Sequence, residues 1–218
     1  MKHIIKKTMM AAGILGLFSL AGTGFVTLAY HGTETKIAEN ERAALLRNLR
    51  AIVPDGLYDN DIVNDTTVIS DMYSGDGKPV TIYRARMYGK PVAAVFTTVA
   101  PDGYNGNIKL LVAVKENGSL AGVRAVSHKE TPGLGDGIEE NRSNWILGFA
   151  GKSLVNPEEK AWAVKRDGGS FDQFTGATIT PRAVVNAVKN TLLYYQANKG
   201  KIYAAKDEKK SDKLREEA

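Results

Sequence analysis

The stretch IKLLVAVKENGSLAGVRAV, residues 108–126, decides the fold of this chain. Two apolar runs, 108–114 and 120–126, flank the dipeptide Asn117-Gly118. Asn-Gly between two such runs is typical of a β-hairpin, because a type I′ turn needs positive φ at both central residues. The sequence therefore predicts an antiparallel strand pair joined by a type I′ turn.

Three more short runs with β-forming composition precede this hairpin, separated by turns that contain Gly and Pro. They cover residues 66–69, 80–86 and 92–99. Consecutive strands with short connections pair antiparallel, so we expect a mostly antiparallel sheet.

Helices are predicted before and after the strands along the chain. A segment from about Glu34 to Val53 has apolar residues on one helical face and is expected to end at Pro54-Asp-Gly56. Two others are expected near 144–149 and from Pro181 to about Ala197. The predicted class is α+β, a mostly antiparallel sheet with flanking helices, preceded by one N-terminal transmembrane helix.

The N-terminal region carries the signature of a membrane anchor. Residues 8–30 include no charged side chain, and three lysines precede them; about 20 such residues suffice to cross a bilayer as a helix. The lysines predict that residues 1–7 are cytoplasmic and that everything after Tyr30, including the domain of residues 31–198, lies on the other face. A cleaved signal peptide is the alternative, because Ser19-Leu-Ala21 has small residues at the cleavage spacing. The apolar region of a signal peptide is typically only about 7–15 residues long, however, and the uncharged stretch here is longer.

Charge is concentrated at the two ends of the chain. The formal net charge is +5, of which the three lysines of residues 1–7 and the surplus of two basic residues in 199–218 account for all. The neutral body argues against nucleic-acid binding, which would need a basic stripe. The charged tail, 199–218, is expected to be flexible.

Cysteine and histidine usage restricts the chemistry. The chain has no cysteine, so disulfides, cysteine-ligated iron–sulfur clusters and thioether-linked cofactors are excluded. Its three histidines are too isolated to indicate a metal site. No nucleophile triad, P-loop or dinucleotide fingerprint occurs, and we expect no catalytic residue and no metal.

The segment Asp172-Gln-Phe-Thr-Gly-Ala-Thr-Ile-Thr180 lies directly before Pro181 and the last predicted helix. Proline is favoured at the first helical position, and Thr180 is the predicted N-cap. The positive end of the helix would attract an anion, and Gly176 and Ala177 leave the backbone open to it. Local chemistry leaves two interpretations: a phosphate site, or an ordinary capped helix after a tight turn.

A second loop, His128-Lys-Glu-Thr-Pro-Gly-Leu-Gly135, follows the hairpin. Thr131-Pro132-Gly133 predicts a turn, which by itself is ordinary loop chemistry. Lys129 is predicted to be a solvated surface charge, and His128 an ordinary loop histidine.

Both segments resemble the FMN-binding domain family. Asp172 to Thr178 is similar to that family's flavinylation motif, whose last threonine is esterified to the phosphate of FMN by a dedicated flavin transferase. The family often has serine at the position of Thr175, which keeps the hydroxyl. A segment similar to residues 128–135 lies near the flavin in these proteins. The resemblance therefore implies covalent FMN on Thr178, with Thr175 and Thr180 as alternative acceptors.

Within that family, the whole chain is most similar to the G subunits of Rnf-type ion-translocating electron transport complexes, and more distantly to the C subunits of sodium-pumping NADH:quinone oxidoreductases. The resemblance implies an electron-transfer subunit of a translocase in the bacterial inner membrane, with a periplasmic domain. It also implies partner subunits, one of them with a second linked FMN, and electron flow between ferredoxin and NAD coupled to cation transport. Reversible FMN binding and a cofactor-free scaffold are the competing hypotheses.

The implied cofactor site has a phosphate side and a ring side. Asp172 and Lys165 are candidates for positioning the phosphate or for serving the transferase. The remaining phosphate-side candidates are Thr175, Gly176, Ala177, Thr178 and Thr180. The ring-side candidates are Glu130, Thr131, Gly133, Leu134 and Gly135. Three aromatic residues, Tyr104, Trp145 and Trp162, would either stack on the flavin or belong to the core, and core packing is the more common use.

Overall fold

The computed structural model describes residues 2–70 and 75–204. The chain divides into two compact units, Met1–Leu46 and Arg47–Ala218. Most of the predicted charged tail, residues 205–218, lies outside the described residues.

The first element, α1, is one helix from Lys2 to Ile52. It contains an apolar stretch, Ile4–Leu28, whose side chains are all exposed and which is long enough to cross a bilayer, consistent with a single-pass anchor. The sequence predicted an anchor and a separate helix from about Glu34, whereas the structure joins them. No proline intervenes, and a single glycine, Gly32, costs a helix only about 1 kcal/mol. The predicted end before Pro54 is confirmed.

Five strands form one sheet in chain order, every neighbouring pair antiparallel. This arrangement confirms the predicted α+β class and all five predicted strands. The strands are β1 (Thr66–Ile69), β2 (Val80–Met87), β3 (Lys90–Gly103), β4 (Gly106–Lys115) and β5 (Leu120–Ser127).

The hairpin turn at Asn117-Gly118 differs from the prediction. Gly118 has a φ of +85°, but Asn117 is not among the described residues with positive φ, so the turn is not type I′. The Gly118 N–H donates to the carbonyl of Lys115, and the Asn117 side chain accepts from the Ser119 N–H, as in a type I turn closed by a left-handed glycine. The positive-φ pair lies instead between β2 and β3, at Tyr88 (φ 51°) and Gly89 (φ 74°).

The main core lies between one face of the sheet and the second long helix, α2 (Ile179–Tyr203). Phe96 on β3 faces Val112 on β4 in register, and both are fully buried. Val184 and Val188 on α2 belong to the same buried cluster, and burial of such side chains stabilises the fold by roughly 1.5–3 kcal/mol each. The helix therefore lies across the sheet.

The other face of the sheet is covered as well. Ile52, at the end of α1, lies against Gly122 on β5, where an added Cβ would be 3.1 Å from its Cγ2 atom. Leu49 and Ile62 are also buried. The chain before β1 thus covers the face opposite α2.

Between β5 and α2 the chain forms loops and four short 3₁₀ turns. The helix expected near 144–149 is one of them, the single 3₁₀ turn Ile146–Phe149. Both ends of α2 extend beyond the predicted 181–197. Arg84 donates to the carbonyls of Ile202 and Ala204 and caps the C-terminal end of the helix.

Candidate functional site

The two motif loops meet at one cavity of about 300 Å³. One wall comes from the loop after β5 and the other from the start of α2, with Tyr104 from the β3–β4 turn at the edge. The lining residues are Tyr104, Glu130, Thr131, Leu134, Gly135, Gly176, Ala177, Thr178, Ile179 and Thr180. The structure therefore brings together most of the candidates that the sequence predicted separately.

The first wall is a tight turn. Leu134 donates its N–H to the carbonyl of Thr131 at 3.1 Å, and Gly133 has a φ of +78°, as a type II turn with Pro132 at its second position requires. This confirms the turn predicted at Thr131-Pro132-Gly133. Leu134, 45% exposed, lies at the cavity.

The second wall has the same construction. Ala177 donates to the carbonyl of Phe174 at 3.1 Å, and Gly176 occupies the third turn position with a φ of +79°. An added Cβ on Gly176 would lie 3.5 Å from the Leu134 side chain. The two turns thus contact each other through Gly176 and Leu134.

The start of α2 corrects the predicted cap. The helix begins at Ile179, so Pro181 is its third residue and not its first, and Thr178 is the N-cap without a side-chain capping bond. Thr180 therefore lies in the first helical turn, and it is 1% exposed. Its hydroxyl is directed into the protein, whereas Thr178 is half-buried at the cavity.

Glu130 is the centre of the site. Its side chain is 5% exposed, and its carboxylate accepts hydrogen bonds from the Tyr104 N–H (3.2 Å), the Asn105 N–H (3.0 Å) and the Thr180 hydroxyl. A buried carboxylate needs such donors, because an unpaired buried charge is costly. Glu130 thereby ties the β3–β4 turn, its own loop and the start of α2 together.

Gly135 allows these groups to approach one another. An added Cβ would lie 2.8 Å from the Thr180 hydroxyl oxygen and 3.0 Å from Glu130. The sequence suggested Gly135 as a place of close approach to a ligand. In the structure its missing side chain leaves room for the Glu130–Thr180 hydrogen bond.

A basic turn lies beside Thr178. The Arg166 guanidinium donates to the Thr178 hydroxyl at 3.4 Å. Arg182 on α2 makes two hydrogen bonds to Asp167, at 2.6 and 2.8 Å. Hydrogen bonding from Arg182 is the main cause that lowers the pKa of Asp167 from its ordinary 3.8.

Lys165 and Asp172 form an ion pair with each other at 2.5 Å, with both side chains more than half exposed. Neither lines the cavity. Thr175 and Gly133 also lie outside it and line a separate shallow depression with Phe174. Among the three hydroxyls considered, only those of Thr178 and Thr180 belong to the cavity, and of these two only Thr178 is not fully buried.

Two of the three candidate aromatic residues belong to the core. Trp162 is buried against Phe149 and Phe171. Trp145 packs edge-on against Phe174 and donates its indole N–H to the Asp172 carbonyl at 2.8 Å, so it fixes the motif loop. Tyr104 is 65% exposed at the cavity.

His128 holds its loop in place. Its Nδ1 accepts from the Glu130 N–H at 3.2 Å, and its Nε2 lies 3.0 Å from Glu139. Among residues 2–70 and 75–204, no three potential ligands form a metal cluster.

Sequence reasoning missed Arg166, Arg182 and Ile179 as neighbours of the site. Arg166 and Arg182 lie 12 residues before and four residues after Thr178, respectively. Only the fold of the 165–178 loop brings the first of them to the hydroxyl, so no local pattern could have found it.

Comparisons with known proteins match both parts of the chain. The profile of the FMN-binding domain matches residues 103–193, and that of the RnfG N-terminal region matches residues 1–52. A relative from Pseudoalteromonas atlantica, the G subunit of an ion-translocating oxidoreductase complex, is 49% identical over 97% of both chains. Its counterpart from Shewanella loihica is 49% identical over 91% of this chain and 92% of its own. A crystal structure of NqrC from Shewanella oneidensis aligns with 63% of this chain and 67% of its own, at 22% identity and a TM-score of 0.44.

Proposed function

The chain belongs to the family of G subunits of ion-translocating oxidoreductase complexes, and on this premise we propose that it relays electrons through an FMN esterified to Thr178. In this role the chain is an electron-transport subunit rather than a complete enzyme. The observation that carries the proposal is the meeting of the two motif loops in one cavity, with the Thr178 hydroxyl at its edge.

The residues present fit FMN. The cavity of about 300 Å³ is at the lower end of the range of ligand pockets, about 300–1,000 Å³. Three apolar or aromatic side chains remain partly exposed at it: Tyr104, Leu134 and Ile179, at 65, 45 and 44%. Such surface supports binding of a flat apolar ring, because covering it removes apolar area from water.

The phosphate side has matching chemistry. The backbone N–H groups of Ile179 and Thr180 have no acceptor among the described residues, as expected for the first residues of a helix. The helix dipole adds positive potential there. Thr178 Oγ1, with Arg166 beside it, is therefore in surroundings that favour a phosphoester.

When bound, FMN supplies two-electron and one-electron chemistry, which allows electrons to pass between carriers of different kinds. The protein's part is to hold and orient it. Glu130 fixes three segments of the site through its hydrogen bonds.

The exposed apolar stretch Ile4–Leu28 supports a single-pass anchor in the bacterial inner membrane, with residues 1–7 cytoplasmic and the flavin domain periplasmic. Outside the cytoplasm a lost cofactor would not readily be replaced, and a covalent bond removes its dissociation. The proposal includes a flavin transferase for maturation and other membrane subunits as partners, one of which carries a second linked FMN. Ferredoxin and NAD would be the terminal carriers, coupled to cation transport.

The test is covalent attachment. Full-length protein produced together with a flavin transferase is run on a denaturing gel, and the band is examined for flavin fluorescence. Mass analysis of the tryptic peptide from Asp167 to Arg182 then identifies the modified residue. We expect FMN on Thr178 and none in Thr178→Ala, while Thr175→Ala, outside the cavity, keeps it. Flavin that is lost on denaturation indicates reversible binding, and a colourless native protein contradicts the proposal.

A further inference from the structure

The 3₁₀ turn Lys165–Asp167 is attached to the motif at several points. The Arg166 N–H donates to the Gln173 side chain at 3.2 Å. Lys165 pairs with Asp172, and Asp167 pairs with Arg182. This turn therefore has a fixed position relative to Thr178, although its side chains are exposed.

The three cations near Thr178 differ in their partners. Lys165 and Arg182 are each neutralised by a carboxylate. Arg166 forms no ion pair with any carboxylate in residues 2–70 and 75–204, and its guanidinium donates to the Thr178 hydroxyl at 3.4 Å. The Asp167 carboxylate hydrogen bonds to Arg182, although the charge of Arg166 also helps to lower the pKa of Asp167. A positive charge without a carboxylate partner of its own among the described residues thus lies at the hydroxyl that the proposed function modifies.

We propose that Arg166 binds the phosphoryl group carried by Thr178. This inference rests on the proposed function and extends it to the residue that holds the phosphate. A phosphate esterified to both the flavin's ribityl chain and a threonine is a diester with one negative charge. A single guanidinium compensates that charge, and its planar fork can bind two phosphoryl oxygens together.

The geometry of attachment agrees with this role. The bond formed joins Thr178 Oγ1 to phosphorus, and the hydroxyl proton leaves to a base. The bond broken is a phosphoanhydride of an activated flavin nucleotide, whose second nucleotide leaves with the bridging oxygen. Since phosphorus becomes bonded to the atom that Arg166 contacts, the phosphoryl oxygens lie within reach of the guanidinium without movement of the backbone.

The Arg166 side chain contributes little to the stability of the unmodified protein. It is exposed, and the Thr178 hydroxyl is the hydrogen-bond acceptor of its guanidinium among the described residues. Exposed charges of this kind contribute at most about 1 kcal/mol to stability. Removing the charge should therefore affect the flavinylated form and spare the unmodified one.

The experiment compares full-length wild-type protein with Arg166→Gln, Arg166→Lys and the control Arg50→Gln, another exposed arginine whose partner is Asp55. Each is produced with the transferase and, separately, without it. Three quantities are measured: the rate at which flavin fluorescence appears in the gel band, the ³¹P NMR shift of the attached phosphate, and the melting temperature of the unmodified form.

We expect Arg166→Gln to slow attachment about tenfold, the loss typical of one charge-assisted hydrogen bond, and to move the ³¹P resonance. Arg166→Lys should lie between Arg166→Gln and wild type in both attachment rate and ³¹P shift, since lysine keeps the charge but lacks the planar guanidinium. Arg50→Gln should match wild type. Melting of unmodified Arg166→Gln should stay within about 2 °C of wild type, as for most surface substitutions.

An unchanged ³¹P shift in flavinylated Arg166→Gln overturns the inference, even if attachment is slower, because Arg166 would then serve the transferase. If that variant carries too little flavin at first, exposure to the transferase is prolonged, because attachment slowed about tenfold still goes to completion, and the shift is then measured. A large fall in melting temperature of the unmodified variant also overturns it, since the role would be structural. Failure of the proposed function is separate: wild type itself would carry no phosphate.

Discussion

The hydroxyl of Thr180 donates a hydrogen bond to the buried carboxylate of Glu130, 50 residues earlier in the chain. This bond connects the loop after β5 to the first turn of α2. The two loops that line the cavity are therefore held by a buried charged group, and the integrity of the site depends on that pair.

Replacing Thr180 by valine should destabilise the protein by about 1–3 kcal/mol, because Glu130 loses a donor while remaining buried. Chemical denaturation of the unmodified protein in detergent measures the change. Thr191→Val is the matched control, since Thr191 is equally buried on α2 and its hydroxyl contacts only the Ala187 carbonyl of the same helix. Equal losses in the two variants would contradict the prediction.

Gly135→Ala should also destabilise the protein, by about 1–3 kcal/mol, through overpacking. The new methyl group would meet the Thr180 hydroxyl and Glu130 within 3.0 Å. Gly148→Ala serves as the control, because nothing lies within 4 Å of its added Cβ. Thermal unfolding of both variants measures the difference, and a Gly135→Ala protein as stable as Gly148→Ala would show that the space around Gly135 can hold a methyl group.

The Asp167 carboxyl should titrate below its ordinary pKa of 3.8, because Arg182 hydrogen bonds to its charged form. Since the folded-state pKa is lowered, the stabilisation is present above 3.8 and is lost as the pH falls through the folded value. The difference in melting temperature between wild type and Asp167→Asn should therefore shrink at acidic pH. Carboxyl NMR titration is the direct measurement, and Arg182→Gln should return the pKa toward 3.8.

Trp145→Phe should reduce the rate of flavin attachment, because the indole N–H no longer holds the Asp172 carbonyl. The lost hydrogen bond contributes roughly 1 kcal/mol to the stability of the loop conformation. Trp162→Phe loses comparable bonds, to the carbonyls of Ser153 and Pro157, outside the flavinylation motif. We expect it to be flavinylated at the wild-type rate, as followed by fluorescence of the gel band. Equal rates for both variants would remove Trp145 from the support of the motif.

Local patterns predicted much of the architecture. Short runs of β-forming composition between turns predicted all five strands, and the start of β1 at Thr66 and its end at Ile69 agree with the structure. The turn at residues 131–133 was also predictable, because Pro132 and Gly133 themselves favour the φ values that its two central positions need. The turn type at Asn117-Gly118 was not, since four residues connect β4 to β5 and their length selected a different turn.

The candidate site, too, was only partly predictable from local patterns. Its motif residues could be recognised in sequence, but the sequence placed the helix start at Pro181 and the cap at Thr180. Both differ in the structure. The helix begins earlier, at Ile179, and the Thr180 side chain is buried in a hydrogen bond to Glu130.

The sequence by itself determined the strands, the apolar N-terminal helix and the two motif loops, because each of these depends on residues close together in the chain. The tertiary structure alone decided that the loops meet, that Glu130 pairs with Thr180 and that Arg166 lies beside Thr178. Contacts between distant residues depend on how α2 packs across the sheet, and the free energy of that packing is a property of the whole buried core rather than of any local pattern.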